Sequence, residues 1–287
     1  MPVLPTDRHA ASLQRAAELI AGADALVIGA GAGIGVDSGL PDFRGSEGFW
    51  QAYPALARAQ LDFTEVANPD MFASDAGLAW GFYGHRLGLY RQTVPHAGFD
   101  MLRQWGQRMR LGSWVFTSNV DGQFQKAGFA EELIHECHGS IHHLQCLQDC
   151  QSDVWSAAGF TPVVDNDTCR LLNDPPVCPH CGGLARPNIL MFGDWLYQHR
   201  RGQAQHRRMD QWLDSLSQHA ATPVIVELGA GTAIPSVRHF SQQVSRRYGA
   251  RIIRINPREP EVPGSQDVGL ACGALAGLSG IDALLKA

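Results

Sequence analysis

The sequence lacks the features of membrane and secreted proteins. No apolar run in its 287 residues approaches the ~18 residues that span a bilayer. The N-terminal segment has no unbroken apolar core like that of a signal peptide, because its apolar residues fall at helical spacing. The net charge of −5 excludes a broad electrostatic surface for nucleic acid or anionic lipid. We therefore expect a cytoplasmic protein with no membrane partner and no nucleic-acid partner.

Cysteine is too sparse, and odd in number, for a disulfide framework. There are seven cysteines, and four of them form two close pairs, Cys146 with Cys150 and Cys178 with Cys181. Two pairs on separate turns can close a tetrahedron around Zn²⁺, and four thiolates leave no position for water. These four cysteines therefore predict one structural zinc ion. Cys169, which lies between the pairs, is the alternative ligand.

The order of apolar runs predicts the fold class. Because predicted strands alternate with predicted helices, we expect an α/β fold, a Rossmann-like open parallel sheet with helices on both faces. The strands are predicted in an apolar run that begins at Ala25 and at Ser113–Thr117, Leu133–Glu136, Pro223–Leu228 and Arg251–Ile255. The helices are predicted at residues 8–21, Ala97–Arg108, Arg207–Gln218 and Val237–Tyr248.

Two segments interrupt this alternation. Residues 46–95 are aromatic and helical in pattern without a clear strand, and residues 141–185 hold the cysteine pairs among loop-forming residues. We predict that this helical module and this zinc-binding module together form a small domain. Residues 1–45, 96–140 and 186–287 are then predicted to form the Rossmann-like, NAD-binding domain.

A glycine-rich turn follows the first predicted strand. Backbone N–H groups at such a turn can bind a pyrophosphate, although a tight turn that binds nothing stays an alternative. The dehydrogenase spacing G-x-G-x-x-G fails in both registers, because Ile34 and Val36 occupy the third glycine position. Residues 41–45 add a carboxylate, an aromatic ring and a guanidinium. These groups suit a site that orients a phosphoribosyl unit better than a site for hydride transfer.

Residues 31–45 resemble the opening motif of the sirtuin family, the NAD-dependent protein-lysine deacylases. Further motifs follow in the family's order at Thr117–Asp121, Glu136–Ser140, Arg186–Asp194 and Gly229–Thr232. The resemblance implies an enzyme that acts on an acylated lysine in a protein or peptide. It implies that NAD is consumed to give nicotinamide, deacylated lysine and O-acyl-ADP-ribose, with one structural zinc ion.

The resemblance also assigns residues to the reaction. His138 is implied as the general base, a role that suits the ordinary pKa of histidine. Two further catalytic residues are implied: Asn119, which would hold the nicotinamide ribose and a structural water, and Asp121, which would shape the pocket that receives nicotinamide. The residues implied to bind NAD are Gly31, Ala32, Gly33, Asp42, Phe43, Arg44, Ser118, Asn119, Asp121, Gly229, Gly231, Thr232, Asn256 and Cys272.

A tyrosine and an arginine are candidates for binding the acyl group of the substrate. Tyr83 and Arg86 are three residues apart, a spacing that places both on one face of a helix. Arginine can bind a carboxylate with two hydrogen bonds, and the pair resembles the Y-x-x-R of sirtuins that remove succinyl and malonyl groups. The alternative is a core tyrosine beside a solvated arginine. The extended backbone of Arg186–Asp194, which includes Gly193, is implied to pair with the substrate peptide by β-augmentation, and Ile189 and Phe192 are implied to form the wall of the acyl-lysine tunnel.

Three positions depart from the family pattern. Gly35 stands in place of serine, Ser118 in place of glutamine, and Arg258 in place of the glutamate that would bind the adenosine ribose. These departures leave open a mono-ADP-ribosyltransferase or NAD glycohydrolase on the same fold, against which the presence of His138 argues. A non-enzymatic NAD- or zinc-binding module is a second alternative. A dehydrogenase, disfavoured by the glycine spacing, is the third.

Overall fold

The structure is a computed structural model that describes residues 5–42 and 45–286. Its strands are β1 (Ala25–Ala30), β2 (Ser113–Thr117), β3 (Ile134–Glu136), β4 (Gly139–Cys146), β5 (Val154–Ser156), β6 (Val164–Asp165), β7 (Arg170–Leu171), β8 (Ala185–Ile189), β9 (Pro223–Leu228), β10 (Arg251–Ile255) and β11 (Val268–Leu270). Its α-helices are α1 (Pro5–Ala21), α2 (Gly45–Ala52), α3 (Pro54–Arg58), α4 (Phe63–Val66), α5 (Pro69–Ser74), α6 (Ala76–Gln92), α7 (Ala97–Arg108), α8 (Gln123–Lys126), α9 (Arg200–Gln218), α10 (Ser236–Tyr248) and α11 (Ala274–Leu285).

Six strands of the described chain form one parallel sheet in the order β11-β10-β9-β1-β2-β3. The chain runs from β1 outward to β3, then returns to the other side of β1 and continues from β9 to β11. The strand order therefore reverses between β1 and β9. Open α/β sheets bind ligands outside the carboxyl ends of the strands at such a switch point. The predicted fold class is confirmed.

Alternate residues of β1 enter different cores on the two faces of the sheet. Leu26 and Ile28 belong to a core that includes residues of α1, α7 and α11. Val27 belongs to a core that includes residues of α9 and α10. Because a parallel sheet is covered on both faces, its strands read as continuous apolar runs. Within the described ranges, no helix combines the length and the apolar character needed to cross a membrane.

A third core joins the helical insertion to the cysteine segment. It contains Trp80 and Phe82 from α6 together with Ile141 and Leu144 from β4. The indole N–H of Trp80 donates to the carbonyl oxygen of Ala185 in β8 at 2.9 Å. Strands β5-β4-β8 form an antiparallel sheet beside this core. The two insertions thus share one core, while the domain boundaries drawn from the sequence stay a prediction.

Candidate active site

A cavity of about 660 Å³ lies outside the carboxyl ends of β1, β2 and β9. This volume is within the range of small-molecule sites in proteins. Most of the residues predicted for NAD, catalysis or substrate line it, although they come from segments far apart in the sequence. They are Gly31, Ala32, Asp42, Tyr83, Arg86, Ser118, Asn119, Asp121, His138, Ile189, Phe192, Gly229, Gly231 and Thr232.

The turns that follow β1 and β9 pack directly on each other at the floor of this cavity. The N–H of Gly33 donates to the carbonyl oxygen of Gly229 at 3.1 Å. A Cβ atom at residue 33 would lie 2.6 Å from the Cα atom of Gly229, and Gly229 itself has a φ of 57°. Both positions require glycine because the two backbones touch. Gly33 serves this contact and is absent from the described lining of the cavity.

Asn119 ties the end of β2 to the glycine turn. Its side-chain amide donates to the carbonyl oxygen of Gly31 at 3.1 Å, and its backbone N–H donates to Oγ1 of Thr117 at 3.0 Å. The backbone N–H of Ser118 donates to the carbonyl oxygen of Ala30 at 3.1 Å. These bonds hold the Asn119 side chain at the cavity wall in one orientation.

Asp121 is a buried carboxylate in the cavity wall. Burial raises its pKa from 3.8 to about 6, the backbone N–H of Gln123 acts in the opposite direction, and the negative charge of Glu136 raises it further. The N–H of Gln123 donates to Oδ1 of Asp121 at 3.0 Å. Asp121 therefore carries its charge in the folded protein at pH 7 at a cost in stability.

Replacing Asp121 with asparagine is expected to stabilise the fold at pH 7.5 but not at pH 4. The folded-state pKa lies above the ordinary value, so the penalty is absent below about pH 4 and complete above about pH 6. The difference between the two pKa values corresponds to ~3 kcal/mol in the free energy of unfolding. Urea unfolding of both proteins at the two pH values measures it. An equal change at both pH values would assign the effect to packing rather than to charge.

His138 follows β3 and faces the same cavity. Its ring is half-buried, and Nε2 lies 3.2 Å from Oγ of Ser236. Burial lowers the pKa of His138 below its ordinary 6.5, and a backbone hydrogen bond with Ser118 opposes that effect only in part. The imidazole is therefore neutral at pH 7, which is the form that a general base requires. The carbonyl oxygen of His138 accepts from the N–H of Leu190 at 2.9 Å, which fixes its backbone against the segment after β8.

Tyr83 and Arg86 project from α6 into the cavity, and both are buried. Arg86 is only 7 % exposed, so it is not the solvated arginine of the alternative hypothesis. Its Nε and Nη2 groups donate to Oη of Tyr90 at 3.0 and 2.7 Å. Its guanidinium carbon lies 5.2, 5.8 and 5.4 Å from the ring centroids of Phe82, Tyr83 and Tyr90. A cation is thus held among aromatic rings at the cavity wall.

The four predicted zinc ligands lie close together in space. Their sulfur atoms are all within 4.8 Å of one another, with 3.7 Å between Cys146 and Cys181 and 3.5 Å between Cys150 and Cys178. A Zn–S bond of ~2.3 Å gives sulfur–sulfur distances of ~3.8 Å in a tetrahedron. The cluster therefore fits one structural zinc ion. Cys169 belongs to the third core instead and lies outside the cluster, which removes the alternative ligand.

Comparison with known proteins identifies the family of this chain. The model described as the Sir2 family matches residues 31–213. This chain belongs to the Sir2 family. The match covers more than half of the chain and confirms the sirtuin resemblance of its motifs.

Relatives and solved structures agree with the Sir2 assignment. NAD-dependent protein deacylase 2 of Pyrobaculum aerophilum is 29% identical over 253 residues, covering 88% of this chain and 87% of the relative. The NAD-dependent protein deacylase of Aquifex aeolicus is 27% identical over 248 residues, covering 86% and 90%. A mutant Sir2 homologue solved with ADP-ribose has the same fold, with a TM-score of 0.69 and 23% identity over 95% of this chain and 96% of that chain.

The departure from the Sir2 pattern at Arg258 lies on a loop that Asn256 shapes. Asn256 is fully buried and does not line the cavity; its side-chain amide donates to the carbonyl oxygen of Ala230 at 3.0 Å. Its Oδ1 accepts from the backbone N–H groups of Arg258 and Glu259 at 3.0 and 3.1 Å. Both of those residues line the cavity, and the carboxylate of Glu259 pairs with Arg238 at 2.8 Å. A carboxylate is therefore present beside Arg258 at this end of the cavity.

The departure at Gly35 has a packing explanation. A Cβ atom at residue 35 would lie 3.2 Å from the Cβ atom of Leu40, so the leucine side chain fills the space beside this glycine. Leu40 itself lines the cavity. Gly35 itself is absent from the described lining of the cavity.

The remaining predicted residues lie outside the cavity lining or outside the described part of the chain. Cys272 and Gly193 are not among the described lining residues. Burial raises the pKa of the Cys272 thiol, and Gly193 forms a turn with a φ of 64°. Phe43 and Arg44 lie outside the described residues.

Several lining residues were not predicted from the sequence. Leu40, Pro41, Val120, Leu190, Met191 and Ala230 lie inside the motif segments, although no role was predicted for them. Most of the others are apolar and lie outside the motifs, so only the fold brings them to the site. Tyr90 had a signal, because it follows Tyr83 and Arg86 on the same face of α6. The unpredicted lining residues are Leu40, Pro41, Phe63, Ala67, Tyr90, Val120, Leu190, Met191, Ala230, Ala233, Ile234, Val237 and Glu259.

Proposed function

We propose that this chain is an NAD-dependent protein-lysine deacylase. The observation that carries the proposal is that a neutral His138, an oriented Asn119 and a buried Asp121 face one cavity at the switch point of the sheet. The names of the relatives from Pyrobaculum aerophilum and Aquifex aeolicus support it. They cover most of this chain at 29% and 27% identity.

The residues around the switch point suit a dinucleotide. The closely packed turns at Gly31 and Gly229 present backbone to the cavity, where a pyrophosphate can approach without a side chain in between. Asn119, whose side-chain amide donates to the carbonyl oxygen of Gly31, would bind the nicotinamide ribose. Glu259, held by Arg238, offers a carboxylate for the adenosine ribose. When bound here, NAD would supply the ribose carbon that accepts the acyl oxygen, with nicotinamide as the leaving group.

His138 takes a proton from a ribose hydroxyl at a ring nitrogen. Its lowered pKa keeps that nitrogen free of a proton at neutral pH, so no prior deprotonation is needed. Ile189, Met191 and Phe192 form an apolar wall of the cavity, which suits the alkyl stem of a lysine and limits access of water to the reacting groups.

For the acyl group, we propose a preference for succinyl- and malonyl-lysine over acetyl-lysine. The support is the burial of the Arg86 guanidinium in the cavity wall next to Tyr83. A carboxylate at the end of an acyl chain would meet a guanidinium that has little access to water, where a charge-assisted hydrogen bond is strong. An acetyl group offers no such partner.

Replacing Arg86 with methionine is expected to lower kcat/KM for a succinyl-lysine peptide by about 30-fold, with a much smaller effect on the acetyl peptide, because a hydrogen bond to a charged group is lost. Arg86→Lys is the matched control, since it keeps the positive charge but loses the planar guanidinium that can bind a carboxylate with two hydrogen bonds. The measurement is nicotinamide release, with mass spectrometry of the peptide and of O-acyl-ADP-ribose. Equal losses on both peptides would overturn the preference. Nicotinamide release without deacylated peptide would indicate an ADP-ribosyltransferase or NAD glycohydrolase instead.

A further inference from the structure

We infer that Tyr90 is a positioning residue that sets acyl selectivity by holding the guanidinium of Arg86 toward the cavity. The inference rests on the proposed deacylase function and on its proposed preference for acidic acyl groups. Tyr90 is one turn beyond Arg86 on α6, is 5 % exposed and lines the cavity. No sequence motif assigned it a role.

The contact between the two side chains uses a particular edge of the guanidinium. The phenol oxygen of Tyr90 accepts from Nε at 3.0 Å and from Nη2 at 2.7 Å, so one oxygen binds the side edge of the planar group. Two hydrogen bonds on that edge fix the rotation of the plane as well as its position. The opposite end of the Arg86 guanidinium, which carries Nη1, then points in one fixed direction. Burial raises the pKa of Tyr90, which keeps the phenol neutral.

The backbone of Tyr90 is also held in place, by a hydrogen bond from Gln123. Gln123 donates from its side-chain amide to the carbonyl oxygen of Tyr90 at 3.1 Å, and its backbone N–H donates to Asp121 at 3.0 Å. Gln123 is 1 % exposed, so this link is buried. It joins the end of α6 to the segment that carries Asp121. Tyr90 is therefore anchored to the catalytic side of the cavity while its hydroxyl orients Arg86.

Removing only the hydroxyl tests this role. For wild type and for Tyr90→Phe, kcat and KM are measured on a succinyl-lysine peptide and on its nearly isosteric neutral analogue, the succinamyl (terminal amide) peptide. We expect Tyr90→Phe to lower the acid-to-amide ratio of kcat/KM by about tenfold, chiefly through KM for the acid, because the guanidinium loses two hydrogen bonds that orient it. Tyr197→Phe is the matched control. Tyr197 is a buried tyrosine that is absent from the described lining of the cavity.

The double variant Arg86→Met/Tyr90→Phe separates a positioning role from a general packing role. If Tyr90 acts through Arg86, the double variant has the same acid-to-amide ratio as Arg86→Met alone, since the two changes remove one interaction. Equal loss on acid and amide, or a ratio change in Tyr197→Phe as large as in Tyr90→Phe, would overturn the inference.

The same measurements distinguish failure of this inference from failure of the proposals beneath it. A ratio lowered by Arg86→Met but not by Tyr90→Phe overturns the role of Tyr90 alone. Wild type that deacylates both peptides without preferring the acid overturns the acyl preference, and the role of Tyr90 with it, while the deacylase function stands. Absence of deacylation on acetyl, succinyl and succinamyl peptides overturns the proposed function itself.

Discussion

Replacing His138 with alanine is expected to lower kcat for deacylation by about 10³-fold, within the range that general-base catalysis contributes. The ring lines the cavity, and its hydrogen bond to Ser236 Oγ lies at the cavity edge rather than in a core. The fold, the zinc content and NAD affinity are therefore expected to stay close to wild type. Single-turnover deacylation, zinc analysis and titration with NAD measure the three properties on one preparation.

The pH dependence of the wild type makes this role more specific. Because burial lowers the pKa of His138 below 6.5, kcat/KM is expected to rise with pH through a value below 6.5 and to be flat between about pH 7 and 8. His239→Ala on α10 is a control, since that histidine is exposed and outside the described lining of the cavity. Activity of His138→Ala within tenfold of wild type, or an activity rise centred above pH 7, would contradict the assignment.

The elements predicted correctly from the sequence are those whose signal is local. Strand β1 lies between two packed faces, so every residue of it is buried and the run is continuously apolar. The strand Ser113–Thr117 was predicted with the bounds that the structure has, for the same reason. The cysteine pairs were also a local signal, because ligand spacing on a turn is set by a few residues. The predicted site residues then account for half of the described cavity lining.

Elements stabilised by buried polar contacts were harder to predict. Helix α9 begins at Arg200, whereas the prediction began at Arg207. Its first two turns contain the buried residue Gln205, whose side-chain amide makes two hydrogen bonds with Glu136 of β3. Its Oε1 accepts from the backbone N–H of Glu136 at 3.1 Å, and its Nε2 donates to the carboxylate of Glu136 at 3.3 Å. A hydrophobic period cannot show a glutamine–glutamate pair 69 residues apart. Asn256 is a similar case, since its buried amide organises the loop rather than facing the cavity.

The antiparallel strands, and the apolar lining residues other than Ile189 and Phe192, were missed for a different reason. Strand β4 pairs with β8 across the whole cysteine segment, with a register shift between Ser140 and Leu144. Such pairing depends on contacts that the third core makes, not on either strand alone. Leu40, Phe63 and Met191 reach the cavity only because these elements come together. The apolar part of the cavity lining therefore depends on how these elements pack together.

Loss of one zinc thiolate is the second change with a large expected effect. Cys178→Ser is expected to lower the zinc content from one ion per chain to nearly none and to lower Tm by on the order of 10 °C. Cys178 is 1 % exposed, and its N–H and carbonyl oxygen bond the backbone of Gly183 and Gly182, so the metal closes a turn that has few apolar contacts of its own. Zinc analysis and thermal unfolding with and without added zinc measure the effect.

Cys169→Ser is the matched control for that variant. Cys169 is buried at 3 % exposure in the third core, but its sulfur is not in the cluster, so its replacement is expected to keep one zinc ion at some cost in stability. Full zinc content in Cys178→Ser, or loss of zinc in Cys169→Ser, would contradict the assigned ligands. Because four thiolates leave no open position on the metal, activity is expected to fall with the folded fraction and not with zinc chemistry at the reacting bond.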